Sequence, residues 1–199
     1  MLTKVIIILN IIISYRAYQA FQIGGLGMDD FLLRPFQLSR KQNYRGALLS
    51  QFSHVEFSHF FFNMLTLYFF GPIVEKLAGE IAFLAVYILS GLAAIILTYL
   101  QRKDEPSYSA LGASGCISGI LFASIVLYPQ MSLYMFLIPI PIPGPIFAIL
   151  YMGYSLFFMN DGGGVSHEAH LGGALMGFIL GGFLAGGYQN FVNRLYSLF

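Results

Sequence analysis

The chain has 199 residues, of which 57% are hydrophobic and only 10% are charged, and its mean hydropathy is +0.74. This composition is typical of an integral membrane protein and excludes a separate soluble domain. The formal net charge of +1 gives no basis for nucleic-acid binding, and a single cysteine, Cys116, excludes an intramolecular disulfide.

The first apolar run predicts a membrane-spanning helix over about residues 5–20. A span needs about 20 mostly apolar residues to cross roughly 30 Å of hydrocarbon. Arg16 lies near the end of this run, and we expect its side chain to extend toward an interface. Tyr15 and Tyr18 stand where a signal-peptide cleavage site would need small residues, so the span is expected to be retained. The next connection, residues 21–50, mixes charged and apolar residues and is predicted to lie in the headgroup region.

Five further spans are predicted. They cover about residues 55–74, 81–100, 110–128, 144–159 and 169–188. Prolines at every second position from 139 to 145 exclude a regular helix just before the fifth span, so residues 133–142 are predicted to be extended chain at the interface or against protein. The whole chain, residues 1–199, is therefore predicted to be one all-α membrane domain with six transmembrane helices.

Polar side chains occur near the starts of three of these spans. His59 and Asn63 lie in the second, Ser114 in the fourth and His170 in the sixth. With six spans these three starts lie on one side of the membrane, and a rise of about 1.5 Å per residue places all four residues at most about 12 Å from that face. Because hydrocarbon offers polar groups no water, we expect these side chains to converge on a protein interior or a wet cavity.

The residue types indicate acyl-transfer chemistry. A serine hydroxyl becomes a good nucleophile when a base accepts its proton, and a histidine can be that base and then protonate the leaving group. Ser114 and His170 are predicted to be this pair. His59 and Asn63 are four residues apart, on one helix face, and are predicted to stabilise the oxyanion together with the backbone N–H of Ser114. Asp161 falls in a loop and Glu168 is out of phase, so a dyad is expected rather than a triad.

A zinc site is the alternative for the histidines. The possible ligands are His54, Glu56, His59, His167, Glu168 and His170. His167 and His170 are three residues apart, however, and not four as in His-Glu-x-x-His. No metal and no cofactor is therefore predicted, and His54 is expected to make a structural hydrogen bond.

The motifs match a known family in order and spacing. They are Gly112-Ala113-Ser114-Gly115, the later His170, His59-x-x-x-Asn63 with His54 before it, and Gly71-x-x-x-Glu75-x-x-x-Gly79 at the end of the second span. The chain resembles the rhomboid intramembrane serine proteases over about residues 34–188. We expect Glu75 to form a cap or to pair with Lys76 or with backbone at an interface.

The resemblance implies a six-helix core that cleaves the transmembrane helix of a partner protein near helix-destabilising residues, without a cofactor and with the long first connection in one leaflet. It implies that Ser114 and His170 are catalytic and that His59 and Asn63 are oxyanion donors. It gives a supporting role to His54, Gly112 and Gly115. Two departures are visible: the chain has no tryptophan for the Trp-Arg pair often found in the first connection, and Ser118 stands where some relatives carry an aromatic residue that stacks on the base.

The second hypothesis is a non-catalytic rhomboid-like protein that binds transmembrane clients. Such proteins typically lack the serine or the histidine, and this chain keeps both. The expected location is the cell membrane, plasma or inner. The usual topology of the family puts the N-terminus in the cytoplasm, whereas the positive-inside rule favours the opposite orientation.

Overall fold

The computed structural model describes residues 1–24, 26–135, 138–159 and 166–196. The helices within these residues are α1 Leu2–Ile23, α2 Pro35–Ser39, α3 Tyr44–Leu49, α4 Phe57–Ala78, α5 Glu80–Arg102, α6 Ser114–Leu127, α7 Gly144–Phe157, α8 His167–Leu184 and α9 Tyr188–Tyr196. Two short strands, β1 Ser132–Met135 and β2 Ile138–Pro143, pair as an antiparallel hairpin between α6 and α7. The all-α membrane fold predicted from the sequence is confirmed.

Helix α6 forms the centre of the bundle, and its residues from Gly115 to Leu127 are all buried. It packs most extensively on α8, and also on α4 and α5. The approach to α8 is backbone to backbone, because a Cβ atom on Gly173 would overlap the carbonyl of Gly115 and one on Gly177 would overlap that of Gly119. Helices in lipid have no hydrophobic driving force toward each other, and small residues at these positions allow the close van der Waals packing that holds them together instead.

Three of the described helices, α1, α4 and α5, are long and apolar enough to cross a membrane. Helices α8 and α9 pass the same test as a pair bent by 88°, and α6 and α7 are shorter apolar helices of 14 residues each. The predicted start of the fourth span at residue 110 differs from the structure, where α6 begins at Ser114. The reason is that Ala110 pairs with Leu33 as extended chain and so cannot begin a helix.

The Gly-x-x-x-Glu-x-x-x-Gly motif fastens α1 to the end of α4. Glu75 accepts hydrogen bonds from the backbone N–H of Thr3 at 3.1 Å and from its hydroxyl at 2.7 Å. A Cβ atom on Gly71 would lie 2.6 Å from the Thr3 hydroxyl oxygen, and Gly79 has a φ of 92° at the turn into α5. Glu75 thus caps one of the free N–H groups at the start of α1, in keeping with the cap or backbone contact expected from the sequence.

The first connection is folded rather than a plain loop. It contains α2, α3 and two 3₁₀ helices, Leu26–Phe31 and Ser50–Phe52. Arg34 and Asp29 form an ion pair at 2.7 Å within it, and Asn43 donates to the carbonyl of Asp29 at 2.8 Å. These internal contacts give the connection a defined shape that can position other segments.

The proline-rich stretch is extended, as predicted, and the structure adds its partner. Leu133 lies opposite Ile142, and Tyr134 lies opposite Pro141. Successive N–H groups of a strand point to opposite edges, so the alternating prolines remove the donors of one edge only. The other edge remains able to pair with β1.

Candidate active site

Ser114, His59 and His170 line one cavity of about 880 Å³. Ser114 is the first residue of α6, His59 lies in the first turn of α4, and His170 lies in the first turn of α8. Charged residues line the same cavity, namely Glu56, Arg102 and Glu105. Three separated motifs therefore meet at one cavity beside the starts of α4, α6 and α8.

The contact between α6 and α8 sets the distance between Ser114 and His170. A Cβ atom on Gly115 would lie 3.3 Å from the carbonyl oxygen of Ala169, so the residues next to Ser114 and His170 touch through their backbones. The two side chains share no hydrogen bond among those found in the described residues. Such bonds between a nucleophile and its base often form only when a substrate is bound.

Residues 110–115, the serine segment, are fixed by backbone hydrogen bonds to the first connection. Leu33 and Ala110 exchange two bonds, at 2.8 and 3.0 Å, and the N–H of Gly112 donates to the carbonyl of Ser50 at 2.9 Å. Gly112 has a φ of 136°, and a Cβ atom there would lie 2.6 Å from Cε1 of His59. Glycine at this position therefore allows both the backbone turn and the close approach of the imidazole.

The side chain of His54 connects its own segment to helix α1, helix α4 and the serine segment. Its Nδ1 lies 2.9 Å from the hydroxyl of Ser14 in α1, and that hydroxyl donates to the carbonyl of Phe52. Its Nε2 accepts from the side-chain amide of Asn63 at 2.8 Å and from the backbone N–H of Ala113 at 3.3 Å. This set of partners assigns a neutral ring with its proton on Nδ1. Burial lowers the pKa of His54 to about 3, which keeps the ring neutral. The hydrogen bonds expected of His54 are thus present, and its supporting role in the site stays a prediction.

The two predicted oxyanion donors have different surroundings. His59 lines the cavity over Gly112, with its ring edge-on to His54 at a centroid distance of 5.1 Å. Asn63 is 8% exposed, directs its amide nitrogen to His54 and is absent from the cavity lining. An amide nitrogen has two hydrogens, so one remains for another acceptor. Their role in catalysis stays a prediction.

The imidazole of His170 lies between aromatic rings. Tyr151 of α7 stacks on it with a centroid distance of 6.2 Å and an angle of 25° between the planes, and His167 meets it edge-on at 6.2 Å. The hydroxyls of Tyr151 and Ser118 share a hydrogen bond of 2.6 Å. No sequence signal pointed to Tyr151, because one tyrosine in an apolar span does not reveal what it faces.

A buried carboxylate fixes the start of α8. Glu168 is 1% exposed and accepts hydrogen bonds from the hydroxyl of Tyr108 at 2.6 Å and from Nε of Arg102 at 3.3 Å. Arg102 also donates to the carbonyl of Met159, just beyond α7, at 2.9 Å. Burial raises the pKa of Tyr108, so its phenol remains a hydrogen-bond donor. The sequence contained a signal for this network. Glu168 lies at the start of the sixth predicted span, and Arg102 lies at the end of the third, on the same side of the membrane.

The histidines and glutamates do not assemble into a ligand set. Within the described residues, no group of three or more His, Cys, Asp or Glu side chains could hold a metal ion. His54 is engaged with Asn63 and Ala113, while Glu168 is engaged with Tyr108 and Arg102. These side chains are thus occupied as hydrogen-bonding partners around the cavity.

Comparison with known proteins matches this arrangement to one family. A profile of the Rhomboid domain matches residues 40–187. The chain is 28% identical over 171 residues to RHOMBOID-like protein 12, mitochondrial, of Arabidopsis thaliana, covering 76% of this chain and 51% of that protein. It is 32% identical over 147 residues to Rhomboid protein 1, mitochondrial, of Saccharomyces cerevisiae, covering 68% and 40%. It is 31% identical over 141 residues to the human presenilin-associated rhomboid-like protein, mitochondrial, covering 65% and 35%.

The chain thus spans about half or less of the length of these curated relatives. The profile nevertheless covers most of this chain, including the serine segment, both predicted oxyanion donors and His170. The chain belongs to the rhomboid family.

Proposed function

We propose that this protein is an intramembrane serine endopeptidase that cleaves transmembrane segments of other membrane proteins with a Ser114–His170 dyad. The observation that carries the proposal is the shared cavity, which Ser114, His59 and His170 line from three different helices. Charged groups at the same cavity favour the entry of water, which hydrolysis needs. Family membership supports the same reaction class, because the family includes serine proteases of this kind.

The first step joins the Ser114 oxygen to the carbonyl carbon of the scissile peptide bond, and the hydroxyl proton passes to His170. The imidazolium then gives this proton to the leaving amine as the C–N bond breaks, which leaves an acyl ester on Ser114. Water then attacks the ester as His170 accepts its proton, and the imidazolium returns this proton to the Ser114 oxygen as the ester C–O bond breaks. No metal or redox group takes part in this balance.

The negative oxygen of the intermediate would lie near the start of α6. The first N–H groups of a helix have no carbonyl partner within the helix, and its dipole favours negative charge there. His59 and the backbone N–H of Ser114 are the proposed donors at the cavity, with Asn63 as a third. The partners proposed are a substrate transmembrane helix and the surrounding lipid bilayer.

The test is cleavage of a single-span reporter by purified protein in liposomes. Wild type is expected to cut, Ser114→Ala and His170→Ala to lose nearly all activity, and Ser124→Ala to retain it. Ser124 is the matched control because it is a buried serine of α6 whose hydroxyl donates to its own helix, to the carbonyl of Leu121. Asn63→Ala and His59→Ala are expected to lose roughly 100-fold in kcat if they stabilise the oxyanion.

The opposite outcome is equally definite. If wild type cuts none of several reporters and Ser114 does not react with a fluorophosphonate probe, the protease proposal is overturned and the second hypothesis, binding of transmembrane clients without cleavage, is favoured. Crosslinking in the membrane would then identify those clients.

The chain is a membrane protein, and its compartment belongs to the proposal. The sequence alone predicted the cell membrane, whereas the curated relatives are named as mitochondrial proteins. Their names favour a mitochondrial membrane. Fractionation of the source cells, with the tagged protein followed by immunoblot, checks this.

A further inference from the structure

In the part of the chain that the structure describes, the base of the proposed dyad has no hydrogen bond that holds its ring. Among the described residues, neither ring nitrogen of His170 has a hydrogen-bond partner, although catalytic and metal-bound histidines are commonly oriented by one. Rotation about the bond to an imidazole is soft, so a ring without such a partner needs another restraint. The nearly parallel ring of Tyr151, at 6.2 Å, is positioned to provide it.

Tyr151 is itself held from two sides. Its hydroxyl bonds to Ser118 of α6, which is 4% exposed, at 2.6 Å. Its ring contacts Phe122 of α6 at a centroid distance of 5.5 Å and Phe147 of its own helix at 5.8 Å. The ring can therefore transmit a fixed orientation to His170 and does not merely fill space beside it.

We propose that Tyr151, held by Ser118, is the positioning residue for the imidazole of His170, so that the orientation of the base depends on helix α7. The proposal rests on the proposed function and adds a residue that acts through His170 without touching the substrate. It also gives Ser118 a role, because a small hydroxyl at that place leaves room for a ring from the next helix and binds its phenol.

The dependence on α7 has a physical consequence. Of the residues in α7, only Gly144 and Ser155 are buried, whereas large apolar side chains such as Ile149, Leu150 and Phe157 are exposed. The helix is thus held less firmly than α6, whose residues from Gly115 onward are all buried. A displacement of α7 would withdraw the ring from His170 and leave the base misaligned.

The test compares kcat and KM for cleavage of the reporter by Tyr151→Leu, Tyr151→Phe and Ser118→Ala. Because Tyr151→Leu removes the ring that stacks on the imidazole, we expect it to lower kcat roughly ten-fold, with KM within about two-fold of wild type. Tyr151→Phe keeps the ring and is expected to restore most of kcat. Ser118→Ala is expected to match Tyr151→Phe, and the double variant to lose no more than either, because each removes the same hydrogen bond.

Two controls separate positioning from folding. Phe157→Leu removes an aromatic ring from an exposed place on the same helix and is expected to keep kcat. The NMR signals of the His170 ring protons, assigned by comparison with His170→Ala, are expected to lose an upfield ring-current shift in Tyr151→Leu. A purely structural role would leave the kcat of the folded fraction unchanged, and an unchanged ring-current shift in Tyr151→Leu would contradict the stacking of the ring on His170.

Each outcome decides one proposal. An active wild type with unchanged kcat in Tyr151→Leu, an effect on KM alone, or an equal loss in Phe157→Leu would overturn the positioning role and leave the proposed function intact. An inactive wild type whose Ser114 does not label would overturn the proposed function itself. The positioning role in catalysis would then fall with it.

Discussion

The serine segment and the imidazole of His170 are held in the cavity by different kinds of contact. The serine segment is fixed through main-chain atoms, by the paired Leu33 and Ala110 and by the bond from Gly112 to Ser50. His170 is restrained by an aromatic ring from α7. Main-chain bonds persist through changes of side chain, whereas a stacking contact depends on one residue. The position of Ser114 is thus built into the fold, and the orientation of His170 can vary.

Apart from the proposed dyad and oxyanion donors, the largest effect is expected where the two sides meet. Gly173→Ala would put a Cβ atom onto the carbonyl of Gly115, so α6 and α8 must separate. Overpacking of a core costs typically about 1–3 kcal/mol, and we expect a loss near the upper end with a fall in cleavage of roughly 100-fold. Thermal unfolding in detergent and reporter cleavage measure the two effects.

Gly153→Ala is the matched control for this variant. Nothing lies within 4 Å of a Cβ atom at Gly153 in α7, and alanine favours a helix. We expect its stability and cleavage to equal those of wild type or to rise slightly. Equal losses in the two variants would mean that the close approach of α6 and α8 does not set the site.

On the serine side, His54→Ala is expected to have the next largest effect. It removes the acceptor for Asn63 and for the backbone N–H of Ala113, and leaves buried donors without a partner. We expect a loss of about 2–3 kcal/mol in stability and a fall of roughly 30-fold in kcat. Ser14→Ala removes the contact to Nδ1 and the bond to the carbonyl of Phe52 but keeps those of Nε2, and it is expected to lose about 1 kcal/mol and little activity.

A result in which Ser14→Ala equals His54→Ala would place the importance of His54 in α1 and not in the serine segment. The contrast between the serine segment and His170 would then no longer hold on the serine side. Measuring the rate of fluorophosphonate labelling of Ser114 in both variants distinguishes the two cases, because labelling reports on the nucleophile directly.

Gly112→Ala tests the backbone of the serine segment at one residue. The φ of 136° is strained for any residue with a Cβ atom, and that atom would also meet the ring of His59. Strain of this kind costs roughly 1–3 kcal/mol. We expect Gly112→Ala to lose about 2 kcal/mol of stability and kcat to fall roughly ten-fold. Unchanged cleavage with a normal unfolding temperature would contradict the role given to Gly112.

The sequence predicted the part of the site that depends on helix phase and membrane topology. Ser114, His59 and His170 were expected to meet because their spans start on one side, and all three line one cavity. The start of α6 was misjudged by four residues, because the apolar residues 110–113 have the composition of a span while Ala110 pairs with Leu33. A pairing between residues 77 positions apart leaves no mark in a local pattern.

The histidine side was less predictable for the same reason. Ser118 was recognised as a place where some relatives carry an aromatic ring, but the sequence did not indicate that α7 would supply Tyr151 there. Glu168 was judged out of phase with the dyad, and its contacts with Arg102 and Tyr108 depend on how α5 and α8 pack. Side-chain partners chosen by tertiary packing are set by the fold as a whole.

The smallest effect is expected for Glu168→Gln, on the histidine side. Glutamine keeps an oxygen that can accept from Tyr108, but it loses the charge that pairs with Arg102. Arg102 still has Glu105 at 3.0 Å and the carbonyl of Met159, so the cost is expected to be about 1 kcal/mol. Because the first turn of α8 also carries His170, we expect kcat to fall roughly three-fold, with labelling of Ser114 reduced to the same extent.

Glu105→Gln is the control, since it removes the exposed partner of the same arginine, and exposed pairs contribute roughly 0–1 kcal/mol. If Glu168→Gln lowers kcat while Glu105→Gln does not, the buried carboxylate acts on the base through the start of α8. If neither variant changes kcat, the network stabilises the rim of the cavity alone, and the orientation of His170 depends on Tyr151 without help from its own helix.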